Sequence, residues 1–141
     1  MIQRIQSLYL LAASLVLGGA FLVDEVWTGP AATDQAWFLP TSMAILGLVA
    51  VGSFLGIFLY GNRAFQRKFV SVVQLLLLVG IAVLFAGQVM AGTLPDASVS
   101  GDSVGEWIVL VIPLVSYIFL YLARRGIDAD IRLVKSMDRL R

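Results

Sequence analysis

Four apolar runs, at residues 5–23, 41–60, 69–90 and 104–123, dominate the chain, and none carries a charge in its middle. Each holds roughly 20 residues, enough at about 1.5 Å per residue to cross a hydrocarbon core of about 30 Å. Within lipid every backbone polar group must be satisfied inside its own segment, so the runs are predicted helices. The connections between them are short, which makes sequential neighbours antiparallel. The fold class expected is an all-α membrane protein: four transmembrane helices in an antiparallel up-down bundle over residues 1–123. A cytoplasmic amphipathic helix is expected over residues 124–141.

The ends of the runs carry their own signals. Trp27, Trp37 and Trp107 fall at one boundary and Tyr60, Phe65, Phe69 and Tyr121 at the other, as an interfacial belt requires. Gly61-Asn62 predicts a left-handed C-cap after the second helix. Ser103-Val104-Gly105-Glu106 reads as a capping box opening the fourth. Pro113 frees the Val109 carbonyl and predicts a mild kink. Gly18-Gly19-Ala20 resembles a signal-cleavage site, but Arg4 alone is a meagre basic flank, so a retained helix is expected.

Charge orients the four helices. All ten Lys and Arg residues lie before the first run, between the second and third, or after the fourth. Ten basic and three acidic residues thus share one side (net +7), against six acidic residues on the other (net −6). Short loops rich in Lys and Arg stay in the cytoplasm, so both termini are expected there. The overall +1 conceals this partition. Hydrophobic residues make up 60% and charged residues 13%, outside the range of soluble domains.

The chain has no Cys and no His. That excludes thiol chemistry, removes the usual axial ligands of haem and removes the best ligands for zinc and copper. No cofactor, metal site or nucleic-acid partner is expected. Paired external carboxylates among Asp24, Glu25, Asp34, Asp96 and Asp102 could serve a membrane-surface aspartyl enzyme or hold a cation. Outward loops also keep acids simply because acids hardly affect insertion, and that reading carries more weight. The capping box gives Glu106 an ordinary structural role. Intramembrane carboxylates, which would argue for proton coupling, are missing.

Packing and docking residues are more visible. Gly47, Gly52 and Gly56 line the second helix, and Gly52 with Gly56 forms a GxxxG motif that lets another backbone come close. That backbone belongs either to a neighbouring helix or to another subunit. Gln74, inside the third helix, is expected to hydrogen-bond between helices. Beyond Arg124 and Arg125, with Gly126 as a hinge, Ile127, Ile131, Val134, Met137 and Leu140 form an apolar stripe. Arg132, Lys135 and Arg139 lie opposite, and Asp128 pairs with Arg132 four residues on. This helix either lies on anionic headgroups of the inner leaflet, through Arg124, Arg125, Arg132, Lys135 and Arg139, or docks on a protein.

The stretches Met1-Ile2-Gln3-Arg4-Ile5-Gln6-Ser7-Leu8-Tyr9-Leu10-Leu11, Asn62-Arg63-Ala64-Phe65-Gln66 and Leu133-Val134-Lys135-Ser136-Met137-Asp138-Arg139-Leu140-Arg141 carry a resemblance that spans the chain. It is to a bacterial family of small four-helix membrane proteins, a domain of unknown function found mainly in the Bacteroidetes lineage. The resemblance implies no activity, cofactor or catalytic residue. Asp128, Ala129 and Ile131 depart from its pattern, and Ile131 widens the apolar stripe. The three motifs fall on the basic side, which implies a contact there. The function expected is therefore a non-catalytic accessory or scaffolding subunit of a larger inner-membrane complex. The alternatives are a small homo-oligomeric transporter or channel and, behind it, the aspartyl enzyme.

Overall fold

A computed structural model describes residues 2–94 and 104–138. Its elements are α1 (Ile2–Ala20), α2 (Glu25–Thr28), α3 (Pro30–Asp34), α4 (Phe38–Phe58), a 3₁₀ turn at Leu59–Gly61, α5 (Arg63–Ala91) and α6 (Val104–Asp138). No strand occurs among the described residues. Among the described residues, three stretches are long and apolar enough to cross a membrane: Phe38–Gly61, Arg63–Ala91 and Trp107–Met137. α1 is apolar over Ile5–Ala20 and ends at Ala20 in tight turns, with Phe21 N–H donating to the Gly18 carbonyl at 3.2 Å.

Alternate steps of four and three residues set the buried seams of α1, α5 and α6. In α1 it is Gln6, Leu10, Ala13, Leu17 and Ala20; in α6 it is Val109, Pro113, Ser116, Leu120, Ala123 and Ile127. In α5, Gln66, Val70, Val73, Leu77, Gly80, Leu84 and Gly87 follow the same rhythm. A repeat of seven keeps one narrow stripe facing its neighbours along the whole length of a helix. Each long helix packs on two others: α1 and α5 both touch α4 and α6. The pairings run in opposite senses along the chain. Gly52 faces Val73, Gly56 faces Val70 and Gly80 faces Ile45, so α4 and α5 lie antiparallel.

Small residues in these stripes bring the helices together. A methyl group on Gly52 would stand 3.0 Å from Val73 Cγ2, and one on Gly80 3.0 Å from Ile45 Cγ2. One on Gly87 would overlap the Phe38 ring, which is itself buried at 1% exposure where α4 begins. The seam hydroxyls of Ser53 and Ser116 donate back to their own helices, to the Val49 and Ile112 carbonyls at 2.7 and 3.0 Å. Bulky apolar side chains point outward instead, among them Leu15, Leu48, Phe54, Leu75, Phe85, Leu114 and Ile118. Water does not tolerate so much contiguous apolar surface, whereas lipid does.

Several turns differ from the sequence expectation. The chain reverses at residues 59–62 without a left-handed cap: Gly61 lies in the 3₁₀ turn and Asn62 is extended (φ −128°), where its side chain accepts the Phe65 N–H at 3.1 Å as the N-cap of α5. An Asx N-cap competes with a C-cap for the same residue, and the N-cap prevails. The left-handed cap stands instead at Gly92 (φ 68°), closing α5 with its N–H on the Gln88 and Val89 carbonyls. The first connection holds α2 and α3 and is tied back by Trp27, whose Nε1 donates to the Ala20 carbonyl at 2.9 Å, an oxygen that also accepts the Val23 N–H. α6 runs unbroken through Pro113 and Gly126. The capping box at Ser103, with Asp96, Asp102, Arg139 and Leu140, lies outside the described residues.

A helix-seam glycine and an open one give opposite predictions. Gly87→Ala is expected to destabilise the protein by about 1–3 kcal/mol through overpacking against Phe38. Gly18→Ala, with nothing within 4 Å, is expected to be neutral or to stabilise by up to about 1 kcal/mol. Thermal melts of the detergent-purified variants test this; equal shifts would contradict the packing.

Candidate functional site

The densest group of polar side chains lies where α1 and α5 begin and α6 nears its end. Asn62 starts α5 immediately before Arg63, placing Arg63 and Arg67 one turn apart on the same helix face. Both are cations at a helix N-terminus, an adverse position for positive charge. α6 supplies the compensation. Arg63 Nε pairs with Asp130 Oδ2 at 2.9 Å, and Arg67 Nε with Asp128 Oδ1 at 2.5 Å. Asp128 therefore pairs across to α5, and the expected pairing with Arg132 along α6 gives way to it. The Asp130 side chain is 13% exposed and the Arg67 side chain 49%, so the first pair is the better shielded from solvent.

Glutamines line the same end. Gln66, buried, donates from Nε2 to the Gly56 carbonyl at 2.9 Å, joining α5 to the last turn of α4. Gln74 is buried and accepts from Arg124 Nη1 at 3.4 Å, joining α5 to α6. Gln6 is buried with Nε2 unpartnered, its Cγ 2.8 Å from where a methyl group on Gly126 would stand. Gly126 is thus the point where α1 closes on α6. The hinge expected there does not form, because the missing side chain is used for contact.

The stripe expected to dock is divided by this packing. Ile127 is fully buried in the protein's own core and Ile131 packs half-buried against it, whereas Val134 and Met137 are exposed, as is every residue from 132 to 137. The expected glycine face meets residues of the same chain: Gly47 faces Phe21, just past the end of α1, while Gly52 and Gly56 face Val73, Val70 and Leu10. Of the basic residues, Arg124 is held by Gln74, while Arg125, Arg132 and Lys135 pair with no described carboxylate. Around them lie two open surface pockets. One of about 410 Å³ is lined by Tyr121, Arg124, Arg125, Asp128 and Arg132; the other, about 250 Å³, by Arg67, Asp128, Ile131, Arg132 and Lys135.

At the opposite end Asp24 and Asp34 are exposed, and Asp34 accepts a hydrogen bond from its neighbour Thr33 at 3.4 Å. Among the described residues no three carboxylates gather to hold a metal. A family described as a domain of unknown function (DUF4293) matches residues 2–140. The chain belongs to this family. No curated protein and no solved structure gives a match. The terminal motifs that carry the DUF4293 resemblance include Gln6 and the exposed positions 133–137 of α6, and the inner-turn motif includes Asn62, Arg63 and Gln66, all at this basic end. Reading along the sequence finds Gln74 but misses Gln6, Gln66 and the cross-helix roles of Arg63 and Arg67. The signal available for the glutamines is the spacing of four and three that places them on the seam.

The two ion pairs should respond unequally. Asp130→Ala is expected to cost about 1 kcal/mol and Asp128→Ala less than about 0.5 kcal/mol, since exposed pairs contribute little. The exchange Arg63→Asp with Asp130→Arg should recover part of the first loss. Chemical melts of the purified variants at low and high salt measure this. An equal cost for both, with no recovery in the exchanged pair, would contradict the cross-helix pairing.

Proposed function

We propose that this chain crosses a bacterial inner membrane four times, with both termini in the cytoplasm, and serves as a non-catalytic subunit of a larger membrane complex. The projecting end of α6 is its docking element. Support for four crossings comes from Phe21, Leu22 and Val23, which prolong the apolar run of α1 beyond its last helical residue. Support for the orientation comes from the charge partition, since every Lys and Arg lies at the α1 start, the α5 start or toward and beyond the α6 end. Support for a non-catalytic role comes from how the polar side chains are used. Gln66, Gln74, Asp128 and Asp130 are committed to contacts within the chain, and no described carboxylate lies in the middle of a long helix.

The observation that carries the docking role is the change of burial along one continuous helix. Ile127 is 0% exposed, and from residue 132 onward every described side chain is open. Seven more residues, 132–138, extend the helix by about 10 Å past the contact with α5. Arg132 and Lys135 share that extension with Leu133, Val134 and Met137. A helix that presents apolar and basic side chains with no neighbour of its own suits the groove of an acidic partner.

A photo-activated cross-linker at position 134 in intact membranes tests this reading. One discrete adduct, absent from a control label at the outward-facing Val72, is expected. A label at 134 that reacts only with lipid, or gives no adduct, would overturn the docking role.

A further inference from the structure

A second surface of α6 has a different character. Val111, Leu114, Ile118, Tyr121 and Arg125 follow one another in steps of three and four, and all are exposed. They form a single outward stripe that passes from aliphatic residues through a phenol to a guanidinium. Tyr121 and Arg125 open directly into the 410 Å³ pocket, together with Arg124, Arg132 and Asp128. We propose that this stripe and pocket bind one anionic phospholipid, with its phosphate held by Arg125, Arg124 and Arg132 and its acyl chains laid along Ile118, Leu114 and Val111.

The charge available in the pocket supports an anion. Its one carboxylate, Asp128, is already paired with Arg67 of α5. Arg124 donates only to a neutral amide oxygen, at Gln74, and so keeps its full charge and its other N–H donors. Arg125 and Arg132 have no described carboxylate partner. Three guanidiniums with planar forks of donors match the oxygens of a phosphate, in one or two bidentate contacts. The Tyr121 hydroxyl lies at the junction of the apolar and basic parts, where an amphipathic ring suits the glycerol level of a bilayer. The aliphatic stripe selects between sources of phosphate. A free phosphate ion would leave Val111, Leu114 and Ile118 without a role, whereas a lipid uses the whole stripe.

This site rests on the proposed membrane placement of the basic end, but it needs no protein partner. The test is native mass spectrometry of the full chain released from detergent with equal phosphatidylglycerol and phosphatidylcholine. Phosphatidylglycerol is expected to be retained about ten-fold in preference. Arg125→Gln with Arg132→Gln should abolish that preference, and the single exposed change Arg125→Gln should reduce it without altering the melting temperature. Lys68→Gln, an exposed basic residue outside the pocket, should leave it intact, and millimolar inorganic phosphate should not displace the lipid. Equal retention of the two lipids, an equal loss in Lys68→Gln, or displacement by phosphate alone would overturn the site. Release of the chain from carbonate-washed membranes would overturn the membrane placement and this site with it. Retention in the membrane without lipid preference would overturn the site alone.

Discussion

The contact between Gln6 and Gly126 governs the basic end of the molecule. With no side chain at 126, α1 approaches α6 until the Gln6 stem fills the space a methyl group would take. That approach buries Ile127 one residue later, and α6 continues as one helix past the point where the apolar run ends. Continuity then sets the register of Asp128 and Asp130 against Arg67 and Arg63. It also directs residues 132–137 away from the other helices. A helix bent at Gly126 would separate each of these groups from its partner.

The rest of the fold follows from a division of labour between inner and outer faces. Inside, glycine, alanine, serine and glutamine lie in the stripes, so association relies on close backbone approach and a few hydrogen bonds. Outside, Leu, Val, Ile and Phe cover the helices. The core also buries Phe38, Leu10, Leu46, Leu77 and Leu120, so the outer faces are as apolar as the inner ones, where a water-soluble bundle would carry polar outer faces. Lipid offers no hydrophobic reward for burying a leucine, so packing density and polar contacts drive association instead. The two ion pairs lie at the end, where the helices emerge from the apolar zone and charge can be solvated in part.

How much of this was legible in the sequence depends on the range of the interaction. The apolar runs, the GxxxG motif at Gly52 and Gly56, and the polar role of Gln74 are local signals, read from composition and spacing. The cap at residues 61–62 was misassigned because Gly-Asn suits both a left-handed C-cap and an Asx N-cap, and the choice depended on where α5 started. Gly126 looked like a hinge because glycine after two arginines weakens a helix, while its partner Gln6 stands 120 positions earlier. Asp128 looked bound to Arg132 because the two are one turn apart, and the stronger claim of Arg67 required knowing that α5 lies alongside. The family match, which runs from residue 2 to 140, agrees with the resemblance read from the sequence motifs.

The central claim is that α6 is one rod anchored at Gly126 and not a membrane helix joined to a tail lying on the lipid. With no native cysteine in the chain, spin labels at Ile118→Cys and Ser136→Cys report on it alone. Eighteen residues of straight helix predict about 27 Å between the two backbones. Double electron–electron resonance in bilayers should return a single narrow distribution centred near that value after allowance for the label arms. A right-angle bend at Gly126 would shorten the separation to about 19 Å, by the same rise per residue, and a distribution centred there would contradict the account.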